Sequence, residues 1–134
     1  MEYPIPVVRI ILQDKEGKIL FLKRGNTKYE SGKWCLPGGK IESGETAEEA
    51  CKKETKEETN LDISNLKFLF YKEGASKIDK EITHWLNLYF KADFSGDIKL
   101  NKESSDYVWL NPKDIDKFDL AFNQKEIIKK FIHQ

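Results

Sequence analysis

The chain has 134 residues, with 23 Lys and Arg residues against 23 Asp and Glu residues, so its formal net charge is zero. That balance gives no overall basic field for duplex nucleic acid, and the length suffices for one domain with a real core. No apolar run approaches the ~20 residues of a membrane span, and the start lacks the basic and apolar regions of a signal peptide. Two cysteines do not make a disulfide framework. We therefore expect a single cytoplasmic domain over residues 1–134, a monomer or homodimer without duplex nucleic-acid or membrane partners.

The N-terminal part of the chain has the composition of strands separated by polar turns. Residues 7–12 are rich in β-branched side chains and predict a strand, and residues 18–23 predict a second strand that forms a hairpin with the first. A polar loop follows over residues 25–32. Residues 34–37 then predict a short extended segment that leads into a glycine pair.

A capped helix is predicted after the glycine-rich turn. Gly38, Gly39 and Gly44 allow backbone conformations that other residues resist, and Thr46 followed by Glu49 forms a capping-box pattern. The turn and the cap together mark the start of a helix.

Three glutamates, Glu54, Glu57 and Glu58, lie at the far end of this helix at spacing i, i+3 and i+4. That spacing places them on one face, where like charges repel and where the helix dipole also presents negative charge. Carboxylates are costly in such a place unless a positive group or a metal ion holds them. Oxygen-rich carboxylate sites suit Mg²⁺ or Mn²⁺, so a divalent cation is the simple candidate.

A helical wheel places these three glutamates on the inward side of the helix. At about 100° per residue they fall with Ala47, Ala50 and Cys51, whereas Thr59 falls on the opposite, outward side. The alternative interpretation is a solvent-exposed helix stabilised by i, i+4 ion pairs, such as Glu49 with Lys53. Glutamate spacing alone leaves both interpretations open.

The remainder of the chain alternates strand and loop patterns and ends in helices. The predicted elements are strands over residues 66–72, 82–92 and 107–110, a polar loop over residues 74–80, a short helix opened by Pro112, and a helix over residues 124–133. Their sum is an α/β fold, a mixed sheet with a helix on each side.

The glycine turn and the acidic helix together resemble the signature of the Nudix (MutT-like) hydrolases. The resemblance covers residues 39–61, and the positions that match at the required spacing are Gly39, Glu45, Glu54, Glu57, Glu58 and Leu61. Lys53 stands where the family has arginine, Thr55 where it has a bulky apolar residue, and Asn60 where it has glycine. Asn60 is a sensible replacement because asparagine tolerates the left-handed conformation at a helix end. Lys53 keeps the charge but lacks the two-pronged donor of arginine.

The resemblance implies an α/β/α sandwich, and it implies a pyrophosphohydrolase that acts on acid anhydrides with Mg²⁺ or Mn²⁺. The implied metal ligands are Gly39, through its carbonyl, and Glu54, Glu57 and Glu58, which are also implied as catalytic residues. The implied supporting residues are Gly38, Glu45 and Lys53.

A further catalytic carboxylate is implied in a loop before the last strand. Glu103 and Asp106 are the candidates. In MutT-like enzymes this acid lies six residues before a strand tryptophan, and Glu103 stands six residues before Trp109. We therefore prefer Glu103, while a solvated loop acid is the alternative for both residues.

The candidate substrate-binding residues are Arg24, Lys40 and Asn123. The two cations resemble phosphate-contacting positions of the family, and Asn123 resembles a base-reading asparagine. An N-cap of the last helix is the other interpretation of Asn123, and both can hold together. Arg9, in mid-strand, is a weaker candidate for a cation that lines the pocket. The candidates for stacking on a base are Trp34, Phe122 and Tyr89.

The predicted activity is hydrolysis of a diphosphate bond in a nucleoside diphosphate linked to another group. The preferred substrate is a nucleoside triphosphate, with a canonical or a modified base, cleaved to monophosphate and pyrophosphate. The chain lacks the proline or tyrosine markers that follow the motif in enzymes for ADP-ribose and dinucleoside polyphosphates. A nucleotide sugar or a dinucleotide as substrate, and a nucleotide-binding sensor without turnover, are the alternatives.

Overall fold

The computed structural model describes residues 3–133. Within them, four strands precede the first α-helix, and three more strands separate it from the second. The strands are β1 (Ile5–Leu12), β2 (Ile19–Arg24), β3 (Trp34–Cys35), β4 (Gly38–Lys40), β5 (Asp62–Ile78), β6 (Glu81–Ser95) and β7 (Ser104–Leu110). The helices are α1 (Ala47–Thr59) and α2 (Gln124–Ile132), with short 3₁₀ turns at Pro112–Lys117 and Ala121–Asn123. Neither α-helix of the described part is long and apolar enough to cross a membrane.

The strands divide into two sheets. One has the order β4-β1-β6-β5, with β1 and β6 parallel and the outer pairs antiparallel, and the other is antiparallel with the order β3-β2-β7. The predicted hairpin of β1 with β2 is therefore wrong. The two strands meet through an isolated bridge between Gln13 and Ile19, next to the turn that Asp14 closes with Lys18. Beyond that turn β2 pairs with β3 and β7, so that it belongs to the second sheet.

A long hairpin of β5 and β6 replaces the polar loop predicted over residues 74–80. β5 continues to Ile78, which pairs with Glu81, and the turn comprises only Asp79 and Lys80. Asp79 adopts a left-handed conformation with φ 56°, which short aspartate side chains tolerate. The polar composition of this segment reflects a pair of strands whose side chains are mostly exposed, rather than a loop.

Two hydrophobic cores flank the sheets, as expected for the α/β/α sandwich. Alternate residues of β1 face opposite sides, because successive side chains of a strand point to opposite faces. Val8 and Ile10 pack in the core that contains Cys51 of α1, whereas Ile11 packs in the core that contains Ile128 of α2. The chain thereby fixes α1 and α2 on opposite sides of β1.

The ends of α1 are as predicted. The Thr46 hydroxyl accepts a hydrogen bond from Glu49 N at 3.1 Å, and the Glu49 carboxylate accepts one from Thr46 N at 2.8 Å, which completes the capping box. Asn60 ends the helix with φ 68°. The capping role of Glu49 leaves its predicted pair with Lys53 unformed.

The buried stripe of α1 is rotated from the predicted one. Thr59, predicted to face outward, is fully buried, as are Cys51 and Thr55, whereas Glu57 is exposed. Thr59 tolerates burial because its hydroxyl donates to the Thr55 carbonyl at 2.6 Å and accepts from Leu61 N at 3.1 Å. The buried side of the helix end is therefore formed by Thr55 and Thr59, and the half-buried Glu54 and Glu58 lie next to it.

Candidate active site

A cleft with two adjoining lobes lies beside the C-terminal half of α1. Arg9, Arg24, Glu58 and Glu103 line both lobes. The larger lobe, about 450 Å³, also includes Gly25–Thr27 and Lys102, and we call it the polar lobe. The smaller lobe, about 300 Å³, is called the aromatic lobe, and its further lining includes Tyr29, Gly39, Lys40, Glu54, Trp85, Asn87 and Phe122.

The helix glutamates do not contribute equally to this cleft. Glu54 and Glu58 line it, whereas Glu57 is exposed and is absent from the lining of both lobes. Glu57 is nevertheless close enough for its charge to raise the pKa of Glu54. Glu103, just before β7, lines the cleft together with Glu54 and Glu58. Asp106 lies opposite Lys23 in the antiparallel pairing of β2 with β7, and it does not line the cleft.

Burial and like charge make the two lining glutamates reluctant to ionise. Desolvation, followed by the charge of Glu57, raises the pKa of Glu54 to about 7, although the Lys53 ammonium opposes the shift. Desolvation raises the pKa of Glu58 to about 8, although the Gly38 hydrogen bond and the Arg9 charge oppose the shift, and the charges of Glu54 and Glu103 add to it. Ionising both acids therefore requires more positive charge than the surrounding protein supplies.

Two glycines hold the acidic helix end against the sheet. Gly38, with φ 154°, donates its N–H to the Glu58 carboxylate at 2.9 Å. A Cβ on Gly38 would lie 1.9 Å from the Val8 carbonyl oxygen, and a Cβ on Gly39 would lie 2.6 Å from the Glu54 carboxylate. Gly38 therefore requires glycine because backbone occupies the place of a side chain, whereas a side chain at Gly39 would displace the Glu54 carboxylate.

Lys53 connects two acids of the motif. Its ammonium lies 3.1 Å from one Glu45 oxygen and donates to the other at 3.2 Å, and it lies 3.9 Å from Glu54. Glu45 also accepts a hydrogen bond from Glu42 N at 2.7 Å, which lowers its pKa. Lys53 and Glu45 thus form a bridge from the turn before α1 to the carboxylate of Glu54.

The predicted substrate-binding residues lie at different depths. Arg24 lines both lobes, and Lys40 is exposed at the edge of the aromatic lobe. Asn123 is exposed and lines a neighbouring depression that shares Trp85 and Phe122 with the aromatic lobe. Asn123 precedes α2, but its side chain makes no capping hydrogen bond and its backbone is left-handed. The side-chain cap that the sequence suggested is therefore absent.

The aromatic wall of the cleft differs from the predicted set. Tyr89 is fully buried, and Trp34 packs edge-on against Phe118, so neither lines the lobes. Phe122 lies in the cleft as predicted, next to Trp85. Trp85, Asn87 and Tyr29 also line the aromatic lobe, although no binding role was predicted for them. The i, i+2 spacing of Trp85 and Asn87 on β6 was the available signal, because it places both side chains on one face of the strand.

The cleft offers oxygen donors suited to a hard divalent cation. Within residues 3–133 no three Asp, Glu, His or Cys side chains converge as a compact metal-binding group. The available donors are carboxylates whose pKa values are raised by burial and, to a smaller extent, by neighbouring acids, and a divalent cation would stabilise their charged forms. The residues therefore fit Mg²⁺ or Mn²⁺ in chemistry, while a full ligand set requires a further acid to move inward.

Comparisons with known proteins agree with this architecture. The family model of the NUDIX domain matches residues 4–131. An ADP-ribose pyrophosphatase of Methanocaldococcus jannaschii is 34% identical over 120 residues, which cover 89% of this chain and 68% of that protein. The nucleoside triphosphatase NudI of Escherichia coli is 31% identical over 131 residues, covering 88% of this chain and 90% of that protein.

A solved structure supports the fold. The MutT protein of Methanosarcina mazei superposes with a TM-score of 0.80 at 24% identity, over 99% of this chain and 96% of that one. The α/β/α sandwich that the sequence predicted is thereby confirmed.

Proposed function

Because the chain belongs to the Nudix family of hydrolases, we propose that it hydrolyses the diphosphate bond of a nucleoside triphosphate to a monophosphate and pyrophosphate. The observation that carries this proposal is the cleft itself, where Glu54, Glu58 and Glu103 lie beside two arginines and an aromatic wall. Acids suited to a cation, cations suited to phosphate, and rings suited to a base are the three things that such a substrate needs.

Proposed roles follow from where the residues lie. Nudix hydrolases generally require divalent metal ions, and Mg²⁺ in this cleft would neutralise phosphate oxygens and lower the pKa of a bound water. Glu54, Glu57 and Glu58 with the Gly39 carbonyl would hold it. Glu103, on the other side of the cleft, would accept the proton of the attacking water. That water forms a new bond to phosphorus as the bridging P–O bond breaks.

The rest of the cleft accounts for substrate binding in this proposal. Arg24 and Lys40 contact phosphate oxygens at the cleft and its edge. Trp85 and Phe122 form a 6.1 Å edge-on pair in the aromatic lobe, and a nucleobase in that lobe would contact their rings. Asn123, which lines the neighbouring depression together with Trp85 and Phe122, would contact the edge of the base.

ADP-ribose is the alternative substrate that a relative specifically suggests. The protein of M. jannaschii is named an ADP-ribose pyrophosphatase, and it is similar to this chain at 34% identity. NudI, at 31% identity, is named a nucleoside triphosphatase and matches over nearly its full length. Three cations around the polar lobe, namely Arg9, Arg24 and Lys102, favour a polyphosphate tail over a neutral sugar, and we therefore prefer the triphosphate.

A substrate panel with Mg²⁺ tests the proposal. Canonical and oxidised nucleoside triphosphates are assayed by phosphate release with and without added inorganic pyrophosphatase. Nucleotide sugars, ADP-ribose and dinucleoside polyphosphates are assayed by phosphate release with added alkaline phosphatase, because their cleavage gives phosphomonoesters. Signal that needs the added pyrophosphatase identifies pyrophosphate as the product. Absence of turnover across the whole panel would show that the chain is not a diphosphatase.

Variants of the acids test the assignment of residues. Removing a carboxylate that holds the cation or takes the proton should reduce kcat about 100-fold or more, so we expect this loss in Glu54→Gln, Glu58→Gln and Glu103→Gln. Glu57→Gln should also lose activity if an acid must move inward to complete the ligand set. Glu48→Gln is the matched control, because Glu48 is exposed in the first turn of the same helix. Wild-type activity in the first three variants would refute the assignment.

A further inference from the structure

Arg9 is a buried cation that the surrounding protein leaves largely unpaired. It lies in mid-β1 between Val8 and Ile10 and is 7% exposed. One of its terminal nitrogens, Nη1, donates to the Leu36 carbonyl at 3.3 Å, while its buried Nε has no hydrogen-bond partner among the described residues. Of the carboxylates in residues 3–133, none lies within 4.0 Å of the guanidinium. A guanidinium carries five N–H donors, and burying its charge without a partner is unfavourable.

The side chain of Arg9 lies on the cleft face of β1. Arg9 is paired in register with Tyr89, and Val7 with Asn87, so these four side chains share one face of the sheet. Arg9 lines both lobes of the cleft. The part of the Arg9 side chain that lines these lobes is therefore within reach of a ligand of the cleft, whereas the buried Nε is not.

A strained phenylalanine brings Arg9 and Arg24 together. The guanidinium carbons of both arginines lie 5.3 Å from the centre of the Phe122 ring, within the range of cation–π attraction. Phe122 adopts φ 51° and ψ 38°, a left-handed conformation that phenylalanine rarely takes. Such strain persists only where surrounding structure maintains it, and the ring of Phe122 contacts the two cations and Trp85. We call Arg9 and Arg24 the arginine pair.

The charges around the cleft determine what the arginine pair can bind. Glu58 and Glu103 line the same two lobes as the pair. The Glu58 carboxylate already accepts the Gly38 N–H. An anion is repelled by these acids and attracted by the arginines, so it would lie on the arginine side of the cleft. Phosphate oxygens match the planar N–H array of a guanidinium.

We propose that Arg9 is a substrate-binding residue, whose free N–H groups donate to a phosphate oxygen of the substrate at a site shared with Arg24. This inference rests on the proposed function, and it adds a binding residue that lies outside the signature motif. It also explains why an unpaired arginine is retained in a strand whose neighbouring residues are apolar.

Stability and anion binding together test the role of Arg9, using inorganic pyrophosphate with EDTA as the probe. Replacing a poorly paired buried ion by an apolar side chain is often neutral or stabilising, so Arg9→Met should keep or raise the wild-type Tm without anion. The same variant should bind pyrophosphate at least about tenfold more weakly, because hydrogen bonds to charged groups are lost. A purely structural Arg9 gives the opposite pattern, a lower Tm with unchanged pyrophosphate affinity, and would overturn the proposal.

Two further variants keep the test decisive. Lys129→Met removes an exposed cation of α2 that lies outside both lobes, and it should bind pyrophosphate as the wild type does. Arg9→Lys keeps the charge but loses the planar array, so its affinity should fall between those of wild type and Arg9→Met, and it serves if the methionine variant does not fold. An Arg9→Lys protein with wild-type pyrophosphate affinity and wild-type KM would refute hydrogen bonding by the guanidinium.

The outcomes separate this inference from the proposed function. A wild-type protein that turns over nucleotides with Mg²⁺, yet binds pyrophosphate independently of Arg9, refutes only the role of Arg9. A wild-type protein that turns over no member of the panel refutes the proposed function.

Discussion

Lys53 shows how one residue can replace another when geometry allows it. The ammonium contacts both oxygens of Glu45 and lies 3.9 Å from Glu54. The hydrogen bond with Glu45 is the main cause of the raised pKa of Lys53. An ammonium can serve here because the two acids lie at different distances and directions, so a planar fork is not required. We therefore propose that Lys53 helps to orient Glu54 toward the cleft.

Lys53→Met should reduce kcat about tenfold with a smaller change in KM for the nucleotide, because Glu54 loses its orienting cation while the substrate contacts remain. Lys53→Arg should retain most activity, since both acids stay in reach of a cation. Steady-state kinetics at several Mg²⁺ concentrations measure both effects. Lys52→Met, an exposed neighbour on the same helix, is the control. Equal kinetics for Lys53→Met and this control would mean that the bridge has no role in turnover.

At the scale of elements, the junction of β1, β4 and α1 depends on close backbone approach. β4 pairs with β1 through Val8 and Gly39, and the acidic end of α1 lies directly over the same glycine. A side chain at either glycine would separate elements that must touch. The two positions differ in what the added atom would meet, namely rigid backbone at Gly38 and a mobile carboxylate at Gly39.

Alanine at each glycine should therefore have a different effect. Gly38→Ala should lower the free energy of unfolding by about 3 kcal/mol, because its Cβ overlaps the Val8 carbonyl in a conformation with positive φ. Gly39→Ala should remain folded but lose activity by about 10- to 100-fold, because the Glu54 carboxylate is displaced. Gly74→Ala, which meets no atom within 4 Å, is the control. Denaturant unfolding and kcat are the measurements, and a stable, fully active Gly39→Ala enzyme would argue against a fixed position for Glu54.

For the molecule as a whole, the cleft gathers charges of both signs from elements distant in sequence. Arg9 comes from β1, Arg24 from β2, Glu58 from α1 and Glu103 from the loop before β7. The fold holds these groups together although part of the acidic charge is poorly neutralised. Stability without a bound cation should consequently depend on pH.

The metal-free protein should become less stable as the pH rises from about 5 to about 8. The pKa values of Glu54 and Glu58 are raised to about 7 and about 8 in the folded state, so the folded state holds protons that the unfolded chain has already released. Their contribution to stability is complete below the unfolded pKa near 4.5 and is lost as the pH rises through the folded values. We expect Tm to fall on the order of 5 °C across this range in EDTA, and Mg²⁺ to reduce the fall.

Thermal unfolding of matched variants isolates this effect from other titrating groups. Glu58→Gln should flatten the dependence of Tm on pH, because its side chain cannot ionise. Glu48→Gln should leave the dependence unchanged, since Glu48 is exposed at the other end of α1. A Tm that rises with pH in the wild type, or an equal slope in Glu58→Gln, would contradict the assignment of these pKa values.

Some features followed from the sequence because they depend on neighbours along the chain. The capping box of α1, the left-handed Asn60 and the glycine turn are local, so residue type and spacing were enough to predict them. Lateral strand pairing is not local. A hairpin of β1 with β2 and a loop over residues 74–80 were consequently predicted wrongly, since composition cannot show which partner strand supplies the hydrogen bonds.

The sequence by itself determined the family signature, the acids it carries and the helix that presents them, because all of these repeat at fixed intervals along one short segment. Only the tertiary structure decided that Glu54 and Glu58, rather than Glu57, line the cleft, and that Arg9 and Phe122 join them. Burial on one side of a helix and proximity across two sheets depend on what packs against each surface. That information is spread over the whole chain and becomes definite only when the elements pack together.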